Sequence, residues 1–155
     1  MMKKLYLAYG SNLNVEQMKR RCPGAKILGT AILPDYELLF KGSRTGSYLT
    51  VEKKRNSSVP LGVWEVDELC ERNLDRYEGY PDFYYKKEIE IDVKRFSTGK
   101  VKKEKAFIYI MHEDRNLGIP SRQYVSTCID GYFDFAFDLW PLECAYKKSI
   151  GGTRK

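Results

Sequence analysis

Three groups of residues in this 155-residue sequence have the types and spacing that chemistry requires. The first is the tetrapeptide Tyr9-Gly10-Ser11-Asn12, which stands between a predicted strand and a predicted helix. A glycine-containing loop before a helix offers unpaired backbone N–H groups and the positive end of the helix dipole, which together suit a carboxylate or phosphate. The alternative is a plain turn without a ligand, because such tetrapeptides are common between strands and helices.

The second group centres on Glu78, which lies among tyrosines at the C-terminal end of a predicted helix. The helix dipole disfavours a negative charge at that end, and burial would disfavour it further. Both effects raise the pKa of a carboxyl group, which makes it a useful base and acid near neutral pH. The alternative is an exposed glutamate without a role.

The third group is the set of 12 tyrosines, of which Tyr84, Tyr85 and Tyr124 lie near the ends of predicted elements. Most tyrosines pack with their hydroxyl group in water, so these three need further evidence. The single histidine, His112, precedes acidic residues and is expected to be solvated rather than catalytic. The sequence has no Gly-x-Ser-x-Gly, P-loop or Gly-x-Gly-x-x-Gly motif.

Capping signals predict three short helices that position these groups. The first helix begins after Asn14, with Gln17 three residues on, and is stopped by Cys22-Pro23-Gly24. The second begins after Asp67 and ends near Gly79, and the last begins after Ser121.

Strands are predicted around these helices. Residues 3–9 alternate well enough for a strand, whereas residues 26–66 contain short apolar runs broken by glycine and proline, which indicate short strands and turns. Residues 83–94 form the clearest strand, with one buried face, and a turn near residues 97–100 pairs it with residues 106–111. That buried face is predicted to hold Phe83, Tyr85, Ile89, Ile91 and Val93.

Many short strands and a few helices predict an α+β fold built on a small, mostly antiparallel, barrel-like sheet. The composition, 43% hydrophobic and 31% charged, is that of a globular protein rather than a disordered one. We expect residues 1–146 to form one domain and residues 147–155 a basic, flexible tail. A monomer and a homodimer are both compatible with the sequence.

The net charge of +6 comes from two stretches. Residues 94–105 hold six basic residues against Glu104 alone, and residues 147–155 hold four basic residues and no acidic one. This distribution indicates a solvated hairpin tip and tail, without the aromatic and arginine pattern of RNA-binding sheets. We therefore expect no nucleic-acid partner.

The four cysteines are widely spaced, and one histidine is too few to complete a zinc site, so we expect no metal. A chain of this size has a core that does not need cross-links, which favours free thiols over two disulfides. The short apolar run near the N-terminus is unlike a signal peptide, and no stretch of 18 apolar residues occurs, which predicts a cytoplasmic protein without a membrane partner.

Three motifs together resemble the γ-glutamylcyclotransferase superfamily. Residues 6–13, Tyr6-Leu7-Ala8-Tyr9-Gly10-Ser11-Asn12-Leu13, look like its N-terminal signature, and Tyr77-Glu78-Gly79 resembles its catalytic-glutamate segment. Pro120-Ser121-Arg122-Gln123-Tyr124 is similar to its late Pro-Ser-x-x-Tyr. The three matches stand in the family's order across most of the chain, and the family's small closed barrel suits the predicted elements.

The resemblance implies an enzyme that cyclises a γ-glutamyl group to 5-oxoproline and releases an amine, without a metal or organic cofactor. By this resemblance, Glu78 is the catalytic base and acid. Substrate-binding residues by the same resemblance are Tyr6, Leu7, Ala8, Tyr9, Gly10, Ser11, Asn12, Tyr85 and Tyr124. The resemblance assigns no such role to Ser43 and Arg44, although either could contribute.

Two alternatives stay open at this point. The donor is a small γ-glutamyl compound or, because the hairpin is basic, an acyl group on an acidic carrier protein. A binding module that keeps the fold without turnover is the other alternative, although the presence of Glu78 argues against it.

Overall fold

The computed structural model describes residues 2–43 and 46–153, and Arg44 therefore lies outside the described residues. It has six strands: β1 Lys4–Ala8, β2 Lys26–Ser43, β3 Gly46–Val66, β4 Tyr84–Arg95, β5 Val101–Met111 and β6 Asn116–Leu117. A 3₁₀ helix spans Ser11–Leu13, and the α-helices are α1 Val15–Arg21, α2 Glu68–Glu78, α3 Arg122–Asp134 and α4 Trp140–Thr153. None of the described helices is long and apolar enough to span a membrane.

The strands form a closed barrel, which confirms the predicted α+β class. The order is β3-β1-β5-β4-β2-β6, and a further pairing of β2 with β3 closes the barrel over β1 to β5. β1 runs parallel to β5, with Tyr6 opposite Phe107, and the other pairings are antiparallel. The two-residue β6 adds to β2 beside the barrel.

β2 and β3 are two long strands, where the sequence predicted several short ones. The glycines and prolines that suggested breaks are absorbed by register shifts at Ile27/Gly29 and at Pro34/Tyr36. Asp35 at the second shift adopts a positive φ of 60°, and its side chain accepts a hydrogen bond from the Asn56 N–H at 3.1 Å. Such bulges bend a strand without ending it, which a closing barrel requires.

The predicted helix starts are confirmed. The side chains of Asn14, Asp67 and Ser121 accept hydrogen bonds from the backbone N–H groups of Gln17, Cys70 and Tyr124, which are the orphan donors of a first turn. α2 ends at Gly79, whose φ of 63° is in the left-handed region that favours glycine. This ending fixes Glu78 as the last residue of the helix.

Helix α4 was not predicted. Residues 147–153, expected in a flexible tail, belong to it, and Ser149 on its inner face is fully buried. The weak apolar periodicity of this segment hides the helix in the sequence, and the packing of α4 against β2 makes it part of the domain. Arg154 and Lys155, the end of the expected tail, lie outside the described residues.

The expectation of four free thiols is wrong, because Cys22 and Cys70 form a disulfide. Both side chains are buried where the end of α1 meets the first turn of α2, and their Cα atoms are 5.0 Å apart, a distance that suits a disulfide. Cys128 and Cys144 are free. The disulfide therefore joins α1 to the helix that carries Glu78.

Candidate active site

A cavity of about 320 Å³ lies between the loop that follows β1 and the end of α2. Seven tyrosines and one phenylalanine border it, together with a single acidic residue, Glu78. The residues that line it are Tyr6, Tyr9, Gly10, Ser11, Asn12, Tyr48, Leu49, Arg76, Tyr77, Glu78, Gly79, Phe83, Tyr84, Tyr109 and Tyr124. A small organic molecule with one anionic and one cationic group would match this lining.

The loop of residues 9–12 lines the cavity and leads into the 3₁₀ turn. Leu13 and Asn14 donate their N–H groups back to the carbonyls of Gly10 and Ser11, which forms the 3₁₀ turn. The N–H groups at the start of such a turn have no partner within it. A Cβ on Gly10 would lie 3.3 Å from the Tyr124 hydroxyl and 3.4 Å from Leu49 Cβ, so glycine keeps this wall of the cavity open.

Glu78 is half-buried, with its carboxyl group toward the cavity. Burial raises the pKa of this carboxyl from 4.5 to about 7, and the nearby Arg21 guanidinium partly opposes the rise. The location at the last residue of α2 follows from Gly79, which turns the chain away immediately afterwards. A carboxyl group that titrates near neutral pH can both accept and return a proton.

Asn12 links the loop to Glu78. Its side-chain NH₂ donates to the Tyr6 hydroxyl at 2.8 Å and to Glu78 Oε1 at 3.3 Å. Its backbone carbonyl accepts a hydrogen bond from Trp64 Nε1 at 3.0 Å, which ties the loop to β3. Asn12 is therefore held by the barrel at one end and touches the candidate base at the other.

A second contact between the loop and α2 is made by Ser11 and Tyr77, whose hydroxyl oxygens are 3.2 Å apart. Tyr9, by contrast, turns its hydroxyl to the Tyr109 carbonyl, 2.6 Å away, and so joins the loop to β5. Burial raises the pKa of both Tyr9 and Tyr77 above 10. Both hydroxyl groups consequently stay protonated at neutral pH.

Tyr124 and Tyr84 meet at the backbone of Leu49, on the opposite wall. The Leu49 N–H donates to the Tyr124 hydroxyl oxygen at 3.1 Å, and the Leu49 carbonyl accepts from the Tyr84 hydroxyl at 2.7 Å. Burial raises the pKa of both tyrosines well above 10. Tyr124 thus presents a neutral hydroxyl to the cavity.

The structure brings most of the predicted site residues to one cavity, with three exceptions. Leu7 and Ala8 are buried in the core and do not line the cavity. Tyr85 lies on the other face of β4 and donates its hydroxyl to Glu113 at 2.5 Å. Arg44 and the side chain of Ser43 lie outside the described residues.

Sequence reasoning missed several aromatic residues of the lining: Tyr48, Phe83, Tyr84 and Tyr109. For Tyr84 the reason is the alternation of residues 83–94, which predicted its neighbour Tyr85 on the buried face instead. Tyr84 is 5% exposed, and Ile91 and Val93 are also buried, so β4 buries one face at its start and the other near its end. Strict alternation cannot show such a change of face.

The remaining candidates lie elsewhere. The basic hairpin of residues 94–105 is partly neutralised by ion pairs, of which the Arg95–Glu104 contact at 2.6 Å is the tightest. His112 sits outside the cavity, with Nε2 2.7 Å from the Pro81 carbonyl. Across residues 2–43 and 46–153, no three His, Cys, Asp or Glu side chains cluster as metal ligands would.

The chain is similar in sequence and in fold to proteins of known name. A human protein named gamma-glutamylcyclotransferase is 34% identical over 97 residues, which are 58% of this chain and 50% of that protein. The bovine protein of the same name is 34% identical over 88 residues, 52% of this chain and 47% of that one. The chain thus spans about half the length of these curated relatives in the matched region.

A solved structure named gamma-glutamyl cyclotransferase is 28% identical, with a TM-score of 0.74 over 94% of this chain and 86% of that chain. The family model described as "Gamma-glutamyl cyclotransferase, AIG2-like" matches residues 6–126, which include the loop of residues 9–12, Glu78 and Tyr124. With most of its length inside that match, the chain belongs to the gamma-glutamyl cyclotransferase, AIG2-like family.

Proposed function

We propose that this protein cyclises the γ-glutamyl group of a small donor to 5-oxoproline and releases the attached amine. The observation that carries the proposal is the Glu78 carboxyl, whose pKa of about 7 suits proton exchange, at the wall of a cavity that residues 9–12 also line. The names of the human and bovine relatives and the family match support the same reaction.

In this proposal the loop binds the α-carboxylate of the glutamyl group. Backbone N–H groups at the start of the 3₁₀ turn would donate to the carboxylate oxygens, and Gly10 leaves the room that they need. The neutral hydroxyl of Tyr124 faces the same volume and would donate a further hydrogen bond. The glutamyl chain is then held in a curled conformation.

Glu78 performs the proton transfers. Its carboxylate takes a proton from the α-ammonium group, and the freed amine attacks the γ-carbonyl carbon to close a five-membered ring. As the bond from that carbon to the leaving nitrogen breaks, Glu78 returns its proton to that nitrogen. The ring nitrogen gives up its second proton when the amide forms, and the released amine binds it, so the products are 5-oxoproline and the ammonium form of the amine. Because both reacting groups belong to one molecule, correct positioning supplies much of the acceleration.

The reaction exchanges one carbon–nitrogen bond for another and transfers protons, with no change of oxidation state, so we expect it to run without a metal or organic cofactor. A cytoplasmic location stays a prediction from the sequence, as does the choice between monomer and homodimer.

A second candidate donor is a γ-glutamyl-acyl group on an acidic carrier protein. The observation that favours it is a groove of about 690 Å³ beside the barrel, lined by seven lysines: Lys3, Lys4, Lys86, Lys87, Lys102, Lys103 and Lys105. Lys86 lines this groove and lies near the active-site cavity. Its Nζ is 4.4 Å from the ring centroid of Tyr80 and 6.0 Å from that of Tyr109, which lines the cavity. Glu71 already pairs with Lys4 and Lys86, which reduces the charge available to a carrier.

The test is release of 5-oxoproline, measured by mass spectrometry, from γ-glutamyl amino acids, γ-glutamylamines and γ-glutamyl-acyl conjugates. We expect turnover of at least one free γ-glutamyl compound, and a loss of about 10²–10⁴-fold in kcat for Glu78→Gln. Glu16→Gln on the exposed face of α1 is the control and should retain wild-type turnover. A folded wild type that is silent on the whole panel would refute the proposal, and turnover of acyl conjugates alone would favour the carrier-linked donor.

A further inference from the structure

Arg21, the last residue of α1, is held from three sides behind the active site. One guanidinium NH₂ group, Nη1, donates to Asn12 Oδ1, and the other, Nη2, donates to Gln17 Oε1 at 2.8 Å. The guanidinium carbon lies 3.6 Å from the ring centroid of Tyr77. Arg21 does not line the cavity, so it can affect the reaction only through these neighbours or through its charge.

The contact with Arg21 determines which way the Asn12 amide points. A guanidinium group can only donate hydrogen bonds, so the amide oxygen of Asn12 must face it. The amide NH₂ then faces the other side, where it donates to Tyr6 and to Glu78 Oε1. Without Arg21, rotation of the amide by half a turn would aim its oxygen at the Glu78 carboxylate, and two acceptors would face each other.

The backbone of Arg21 is fixed to the same helix that ends at Glu78. Asn73 Nδ2 on α2 donates to the Arg21 carbonyl at 3.0 Å. The next residue, Cys22, is joined by its disulfide to Cys70, also on α2. These two links tie the end of α1 that carries Arg21 to the helix that carries Glu78.

Arg21 is also the charge that acts on Glu78. Arg76 is the other charged residue of the cavity lining besides Glu78. The remaining titratable groups around the carboxyl are tyrosines from the surrounding elements, and burial raises the pKa of each, so they are neutral at working pH. They are Tyr6, Tyr9, Tyr77, Tyr84, Tyr109 and Tyr124. The guanidinium group lowers the pKa of Glu78 against the effect of burial. It thereby keeps part of Glu78 ionised near pH 7.

We propose that Arg21 is a positioning residue of this active site, which orients the Asn12 amide toward Glu78 and stabilises the carboxylate form of Glu78 without touching substrate. The inference rests on the proposed cyclotransferase reaction for its kinetic readout. It assigns a role to a residue outside the three motifs that carry the family resemblance.

The test compares Arg21→Met, which keeps an unbranched apolar stem but removes the charge and the donors, with Arg21→Lys, which restores the charge. Arg20→Gln is the matched control, because the neighbouring Arg20 is exposed and pairs with Glu16 on the surface of α1. For each variant, kcat and KM are measured from pH 5 to 9. The pKa of Glu78 is followed independently by NMR of ¹³C-labelled glutamate carboxyls, assigned with Glu78→Gln.

We expect Arg21→Met to raise the pKa of Glu78 by about one unit, to move the acidic limb of kcat/KM upward by the same amount, and to lower kcat about tenfold while KM changes little. Arg21→Lys should return the pKa toward the wild-type value. Folded Arg21→Met with an unchanged Glu78 pKa and unchanged kcat would overturn the inference. A wild type that releases no 5-oxoproline would instead refute the proposed function, and the NMR comparison alone would then decide the role of Arg21.

Discussion

Tyr84 and Tyr85 are consecutive residues of β4 whose hydroxyl groups lie on opposite faces of the strand. The Tyr84 hydroxyl donates to the Leu49 carbonyl in the cavity wall at 2.7 Å, and the Tyr85 hydroxyl donates to Glu113 outside it at 2.5 Å. Successive side chains of a strand alternate between its faces, so only one of the two can reach a ligand in the cavity.

Removal of the two hydroxyl groups should therefore have different effects. We expect Tyr85→Phe to change kcat/KM for 5-oxoproline release by less than about twofold, because the lost hydrogen bond is exposed. Tyr84→Phe should lower the free energy of unfolding by about 1–2 kcal/mol, since it leaves the buried Leu49 carbonyl without its partner. Denaturant unfolding and steady-state kinetics measure both. A tenfold loss of kcat/KM in Tyr85→Phe would return Tyr85 to the substrate site.

Glu78 should destabilise the fold at alkaline pH. Its pKa is raised from 4.5 to about 7 on folding, so the folded state binds the proton more tightly than the unfolded state. Stability must then fall as pH rises from about 4.5 to about 7, and the penalty persists above that range. Glu78→Gln removes it, and we expect this variant to exceed the wild type in unfolding free energy by up to about 3 kcal/mol at pH 8.

The same difference should disappear at pH 4, where Glu78 is protonated in both states. Urea unfolding of both proteins at the two pH values measures it. Glu16→Gln serves as control, because Glu16 is exposed and its substitution should have a similar small effect at either pH. A Glu78→Gln variant that is less stable than wild type at pH 8 would show that the ionised carboxylate stabilises the fold.

Gly10→Ala should weaken substrate binding. The added Cβ would stand 3.3 Å from the Tyr124 hydroxyl, where the proposed carboxylate site and the cavity wall meet. We expect KM to rise about tenfold, by about 1.4 kcal/mol of lost binding, with a smaller change in stability. Gly151→Ala is the matched control, because a Cβ there meets nothing within 4 Å, and its kinetics should not change. Equal KM values for Gly10→Ala and wild type would place the ligand elsewhere.

The disulfide predicts the count of reactive thiols. Unfolded without a reductant, the protein should expose two thiols to a thiol reagent, those of Cys128 and Cys144, and after reduction it should expose four. Reduction should lower the free energy of unfolding by about 2–4 kcal/mol, the usual contribution of a disulfide. Four reactive thiols in the unreduced protein would show that Cys22 and Cys70 are free in solution.

Local signals predicted much of this fold. Asn14, Asp67 and Ser121 cap their helices as expected, and Gly79 ends α2, because a cap and its acceptor or donor lie within a few residues of each other in the chain. The motifs of residues 9–12 and Glu78 were also placed correctly at the ends of elements that meet. Each of these predictions depends on neighbours in sequence, which a single sequence displays.

The rest depends on contacts between distant segments. Gly131 is an example, since glycine ordinarily destabilises the interior of a helix such as α3. In the structure a Cβ at Gly131 would lie 2.7 Å from the Asn14 backbone nitrogen, so glycine permits α3 to approach the loop near the active site. The continuity of β2 and β3, the change of buried face along β4 and the disulfide likewise arise from tertiary packing, which outweighs local preference.

The hydrogen bond from Tyr9 to the Tyr109 carbonyl joins residues 100 positions apart, and the parallel pairing of β1 with β5 does the same along the strand. Joining segments so distant costs loop-closure entropy before any contact compensates for it, which slows folding. The β2–β3 and β4–β5 hairpins need no such closure. We therefore expect strand content to form before the cavity does, and recovery of activity after dilution from denaturant to lag behind the circular-dichroism signal of the sheet.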